Sequence, residues 1–333
     1  MIPVIAFFNN KGGVGKTSLV YHIAWMFSDL GTRVLAADLE PQANLTAACL
    51  DEDQLETLWQ GDEHNTTLYG CIQPLVRGAG DIAIPQLQLV SEYLALLPGD
   101  LGLSAFEEEL SSQRPAALSG NERAFRVLSA FWRIMQRAAL DHQADLILAD
   151  LGPNLGAINR AGLIAADYVV VPLSPDLFSL QGLRNSGPAF AKWRTEWSDR
   201  LNHKPKMNIE LPAGRMDPLG YIVLQHSIRL DRPVKAYNKW INRIPGDYRT
   251  YVLSEPGDKS VIIQEDPHKL ALLKYYHSLM PMAQEARKPM FHLKPADGAI
   301  GAHFQSAQEA YRDFKALACI IGAKANLIAI SLP

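Results

Sequence analysis

The stretch Pro3–Trp25, "PVIAFFNNKGGVGKTSLVYHIAW", limits the fold more than any other part of the chain. "PVIAFF" is a nearly continuous apolar run, the pattern of a strand covered on both faces in a parallel sheet. After the glycines, "TSLVYHIAWMFSDLG" carries apolar residues at helical spacing. Leu19, Ile23, Met26 and Phe27 share one face, and Gly31 is a natural stop. "RVLAADLE" follows as a second strand, so the chain opens with a βαβ unit whose first connection is a glycine loop. The fold class expected is α/β: a mostly parallel twisted sheet with helices on both faces, and a ligand at the C-terminal ends of the strands.

The loop has chemistry of its own. Glycines let the backbone curl around an anion with its N–H groups inward, and the helix that begins there adds the positive end of its dipole. Lys16 can reach β- and γ-phosphates, and the Thr17 hydroxyl can ligate Mg²⁺. Gly12, Gly13, Val14, Gly15, Lys16, Thr17 and Ser18 are therefore the candidate nucleotide-binding residues. In the ordinary phosphate loop a glycine stands five residues before the final Gly-Lys pair; here that position is Asn10, and Lys11 follows it.

"KGGVGKT" in this form resembles the deviant Walker A motif of the ParA/MinD family of ATPases, which have a P-loop NTPase fold. The resemblance implies ATP and Mg²⁺ as cofactors, hydrolysis of ATP to ADP and phosphate, and an ATP-dependent homodimer. In that dimer Lys11 would cross the interface to phosphates bound by the other subunit, where it supplies positive charge to the transition state.

Further segments resemble the family. "VLAADLEPQANLT" is similar to its "DxDPQ-N-T" switch segment, with Pro41, Gln42, Asn44 and Thr46 in register. Asp38 falls on the carboxylate expected to position the attacking water near Mg²⁺, and Glu40 stands where Asp is usual as a secondary candidate. "ADLILADLGPNLG" looks like the Walker B strand, whose Asp150 would hold Mg²⁺ through water. By the same resemblance the catalytic set is Lys11, Lys16 and Asp38, and the metal set is Thr17, Asp38 and Asp150. Gln225, beyond the strand "LGYIVLQHS", and Pro245, in "RIPGDYRTYVLSE", are expected at the adenine pocket.

Composition narrows the alternatives. The 333 residues, 48% of them hydrophobic, suffice for a large core, and 32 basic against 35 acidic residues argue against a constitutively basic nucleic-acid coat. Cys49, Cys71 and Cys319 form no CxxC pair, which argues against a zinc site or disulfide framework. "ADLGPNLGAIN" also lacks the cysteine that an iron–sulfur relative such as nitrogenase iron protein would need. The apolar N-terminus has no basic leader and no stretch reaches the ~20 apolar residues of a membrane span, so a cytoplasmic location, free or nucleoid-associated, is expected. No helix-turn-helix segment precedes the first strand, so the expectation is the short ParA form.

Residues 1–333 are read as a single domain with a surface insertion at about 51–80 and a helical extension at about 295–333, its helix near Ser306 to Ile321. The acidic run Glu107 to Glu109 reads as a solvated helix face. The tail "NLIAISLP" has no basic face, which disfavours a MinD-like membrane helix. ParA-like proteins bind DNA non-specifically through basic residues and answer to a ParB-like or adaptor protein. The DNA candidates are Arg194 in a stretch with Lys192, Arg200, Lys204 and Lys206, and Arg229, Arg232, Lys235 and Lys239 in "IRLDRPVKAYNKWINR", which ends at Arg243. The leading function is an ATPase switch for plasmid or chromosome partition or cargo positioning. The alternative is a MinD-like switch acting at a membrane or protein partner without DNA.

Overall fold

The computed structural model describes every residue except 61–63, 65, 227–238, 257–260, 277 and 328–333. Its strands are β1 (Val4–Phe7), β2 (Val34–Asp38), β3 (Gln88–Leu89), β4 (Leu94–Leu97), β5 (Leu146–Asp150), β6 (Tyr168–Leu173), β7 (Asp217–His226) and β8 (Lys269–Lys274). The described residues join them in one eight-stranded sheet, ordered β3-β4-β2-β5-β1-β6-β7-β8. Every pairing is parallel except that of the short edge strand β3 with β4. β1 lies between β5 and β6, so the connection leaving it opens at the middle of the sheet's C-terminal edge.

The helices are α1 (Lys16–Asp29), α2 (Asn44–Cys49), α3 (Glu52–Leu58), α4 (Leu68–Val76), α5 (Phe106–Leu118), α6 (Glu122–Leu128), α7 (Ala130–Asp141), α8 (Ala157–Ile164) and α9 (Leu177–Asn202), followed by helices Leu279–Ala286 and Ala302–Lys324. The strand period of two sorts the sheet's side chains between two cores. Val4, Ala6, Leu35, Ala37, Val169 and Val171 face the core built with α4 to α9. Ile5, Phe7, Val34, Ala36 and Val170 face the core built with α1 and the two C-terminal helices. Strands apolar on both faces are what the run "PVIAFF" requires, and both faces are covered.

α1 ends as Gly31 predicts. Gly31 takes φ 80°, its N–H donates to Ser28 O and that of Thr32 to Phe27 O, closing the last turn. The C-terminal helix runs beyond the expected Ser306–Ile321, over Ala302–Lys324, and buries Ala307, Ala310, Phe314, Leu317 and Ile321 against α1 and β8.

The segment 51–80 is not a surface excursion throughout. α3 is mostly exposed, but in α4 Leu68, Cys71, Ile72 and Leu75 are at most 1% exposed. Their spacing is that of one helix face, with Thr67 as the cap accepting from Gly70 N. Gly70 and Pro74 within the helix give it the composition of a loop.

Candidate functional site

The loop from Phe8 to Gly15 leaves β1 and enters α1 with two residues in left-handed backbone, Gly13 at φ 71° and Gly15 at φ 87°. Only glycine occupies that region freely, and these two turns bring the chain into the N-terminus of α1. Lys16 is the first residue of α1 and only 7% exposed. Burial holds its ammonium below its usual pKa, opposed by the attraction of Asp150 and Glu40. Gly12, Gly13, Gly15, Lys16, Thr17 and Ser18 line a cavity of about 680 Å³. Val14 faces a smaller apolar cavity of about 130 Å³ that also touches Gly15 and Ser18.

The carboxylates divide into three roles by their contacts. Asp38 and Asp150 are register partners at the ends of β2 and β5. Asp38 is fully buried, and its Oδ2 accepts from both the N–H and the hydroxyl of Thr46, each at 2.8 Å, while Oδ1 accepts from Glu40 N at 3.2 Å. Burial pushes its pKa up to about 6 despite those hydrogen bonds. The Thr46 hydroxyl in turn accepts from Gly99 N at 2.8 Å. A Cβ at Gly99 would lie 2.8 Å from Asp38 Cγ, so this approach needs a glycine. Asp38 is thus packed between the switch segment and the end of β4, and it does not line the large cavity.

Glu40 does line it. Its Oε2 accepts from Asn44 Nδ2 at 3.1 Å, and the residue is 7% exposed. The correction to the sequence reading is that the carboxylate facing the loop is the one two residues beyond Asp38. The turn after β2, closed by Ala43 N to Glu40 O, directs it there.

Asp150 is fully buried, and among the described residues neither of its carboxylate oxygens makes a well-formed hydrogen bond. Burial, with Asp38 alongside, pushes it well above the usual carboxylate range, against the nearby Thr17 hydroxyl and the pull of Lys16. A buried carboxylate of this kind beside a P-loop lysine and threonine is a donor set that suits a hydrated Mg²⁺. Glu107 holds the adjoining loop. Its two oxygens accept from Ala157 N (2.5 Å) and Ile158 N (2.9 Å) at the start of α8, so this glutamate is a helix cap and not a solvated face. Glu109 pairs with Arg123 at 2.7 Å.

Sequence reasoning missed the C-terminal part of the large cavity's lining, formed by Met280, Ala283, Gln284, Arg287 and Lys288. His22 secures it. Its Nδ1 bonds the Ser18 carbonyl at 2.6 Å, and its Nε2 accepts from Met290 N at 3.1 Å. Burial draws the imidazole down to a pKa of about 4, so it is neutral and keeps that acceptor. The smaller cavity runs between Leu224 of β7 and Leu273, Tyr275 and Tyr276 at the end of β8.

Other predicted residues lie elsewhere. Lys11 leaves the cavity, and its Nζ lies 2.5 Å from Asp176 Oδ2. Pro245 is buried in the short helical turn Ile244–Asp247 and lines neither cavity. Gln225 belongs to β7, and its side chain lies outside the described residues, as do Arg229, Arg232 and Lys235. Arg194 donates to the carbonyls of Arg215 and Met216 at 2.8 and 2.9 Å, and Arg200 is buried on the carbonyls of Glu196 and Arg114. Lys192, Lys204, Lys206 and Lys239 are exposed.

The AAA_31 family model, an AAA domain, matches residues 2–203. The chromosome partitioning protein ParA of Caulobacter vibrioides is 30% identical over 204 residues, 60% of this chain and 66% of that protein. The chain belongs to the ParA/MinD family of ATP-binding P-loop proteins. The cell division protein PomZ of Myxococcus xanthus is a further family relative, 29% identical over 181 residues, 54% of this chain and 48% of PomZ. The chain spans about half the length of the first curated relatives it matches. The ATP complex of a McdA variant from Cyanothece shares the fold, with a TM-score of 0.63 at 16% identity, covering 100% of this chain and 98% of McdA. Nucleotide hydrolysis is the general chemistry of this ParA/MinD family. Among the described residues no helix is long and apolar enough to cross a membrane.

Proposed function

We propose that this chain is an ATP-driven dimerisation switch of the partitioning type, which hydrolyses ATP slowly and positions DNA or another cargo. The observation that carries this reading is the shared cavity: phosphate loop, Lys16, Thr17 and Glu40 all line it. The loop amides and Lys16 would hold the phosphates, while Glu40 would orient and deprotonate the attacking water. Mg²⁺ would be held by Thr17 and, through water, by Asp150, and would neutralise charge on the phosphates. Asp38 acts through Thr46 and Gly99 as a positioning residue for the switch segment. The base would lie against Leu224, Tyr276 and Met280 in the smaller cavity.

Pairing draws support from the sheet's C-terminal edge. Leu101, Leu155, Leu177 and Phe178 follow the ends of β4, β5 and β6, and they are 61%, 39%, 48% and 72% exposed. Apolar side chains gathered on the edge that holds the nucleotide suit a second copy of the chain. Lys11, outside its own cavity, would serve the partner's phosphates. The relatives named for chromosome partitioning and cell division favour a positioning role, with non-specific DNA and a ParB-like or adaptor protein as partners.

DNA binding measured with ATP, with ADP and without nucleotide across a salt series tests the cargo side. Binding that needs ATP and falls with a log–log salt slope of ~0.9 per phosphate contacted is the expected result. Pairing with no DNA binding in any nucleotide state would reject DNA and direct the search to a protein or membrane partner.

A further inference from the structure

Taking the large cavity as the nucleotide site, we propose that Arg287 completes it as a polyphosphate ligand supplied by the C-terminal segment. Four charged residues line that cavity: Lys16, Arg287 and Lys288 against Glu40. The cavity is thus lined by cations both from the loop and from the end of helix Leu279–Ala286, which suits a ligand with several negative charges. The two cations at the helix end differ in their commitments. Lys288 is held by Asp297 at 2.7 Å. Among the described residues Arg287 has a carboxylate only at 4.0 Å, that of Glu52, which is itself 93% exposed. A contact of that length to a solvated partner is easily exchanged for a phosphate, and the planar guanidinium suits phosphate oxygens.

Its placement is fixed. Two contacts tie the helix to α1, Ser18 Oγ to Met280 Sδ at 3.7 Å in its first turn and His22 Nε2 to Met290 N at 3.1 Å after it. Arg287 caps that helix in left-handed backbone, φ 48°, where glycine is the usual occupant. An arginine at a position that favours glycine carries local backbone strain, and strain of this kind gathers at functional sites. Nucleotide binding would draw Arg287 away from Glu52 and so reach α3, to which Glu52 belongs.

The test is nucleotide affinity of the full chain and of Arg287→Gly, Arg287→Ala and Glu52→Gln, measured with Mg·ATP, Mg·ADP and adenosine. Arg287→Gly relieves the backbone, so its apo melting temperature should equal or exceed wild type while both nucleotides bind about tenfold more weakly. Adenosine, which has no phosphate, should bind all forms alike, and Glu52→Gln should tighten ATP a few-fold. Wild-type affinity for ATP in both Arg287 variants would overturn the assignment. Failure of the wild-type chain to bind any nucleotide would instead overturn the reading of the cavity on which it rests.

Discussion

Lys11 and Asp176 form an ion pair within one chain, Nζ to Oδ2 at 2.5 Å, with the two side chains 25% and 37% exposed. Asp176 also caps α9 by accepting from Ser179 N at 2.8 Å. A partly solvated pair of this kind contributes about 1 kcal/mol at most, little enough for a phosphate in a partner subunit to displace it. Asp176→Asn keeps a capping side chain and removes the charge. Its expected outcome is pairing at a several-fold lower ATP concentration, read by analytical ultracentrifugation. Lys11→Ala should still bind nucleotide but lose pairing and turnover; unchanged turnover in that variant sinks the cross-subunit role.

The proposed function gives Glu40 the chemistry and Asp38 the positioning. Glu40→Gln should fold with wild-type stability, bind ATP, and turn over at least 100-fold more slowly, the usual scale for losing a general base. Asp38→Ala should destabilise the fold by about 2 kcal/mol, because the buried Thr46 donors lose their acceptor. Denaturant unfolding and steady-state ATPase assays on the two variants read both effects. Normal hydrolysis by Glu40→Gln would return the water-activating role to another carboxylate.

His22 makes the join between α1 and the C-terminal segment sensitive to acid. Its pKa is about 4 in the fold, against about 6.5 in an unfolded chain. Between those values the unfolded chain binds the extra proton, so stability present above pH 6.5 is lost as pH falls toward 4, by about 3 kcal/mol in all. Asp38 runs the other way. Its folded value of about 6 lies above the usual 3.8, so its contribution weakens the fold as pH rises through that interval. The difference in unfolding free energy between wild type and His22→Leu, measured from pH 7 to 4.5, isolates the histidine. That difference should shrink as the solution is acidified; a flat difference would mean His22 stays protonated or unprotonated alike in both states.

The central βαβ unit was readable because its signals are local. A strand apolar on both faces, glycines where φ is positive and a glycine stop at Gly31 each declare themselves within a few residues. Asp150 was readable for the same reason, as the end of an apolar run. Glu40's place on the cavity wall was not legible, because the direction of a side chain beyond a strand end is set by the turn, here Glu40 to Ala43, and not by spacing. Arg287 and Met280 lie more than 260 residues from the loop they face, so only the packing of the C-terminal segment on α1 brings them together. Arg194, a sound DNA candidate by charge, turned out to spend its guanidinium on the carbonyls of Arg215 and Met216.

Whether ATP switches this chain between one and two copies is read from the light-scattering mass of the purified protein alone, with Mg·ADP and with Mg·ATP, using Glu40→Gln to slow turnover. The expected result is the mass of one chain without nucleotide and with ADP, and of two chains with ATP. The same mass in all three conditions, with ATP bound, would contradict it.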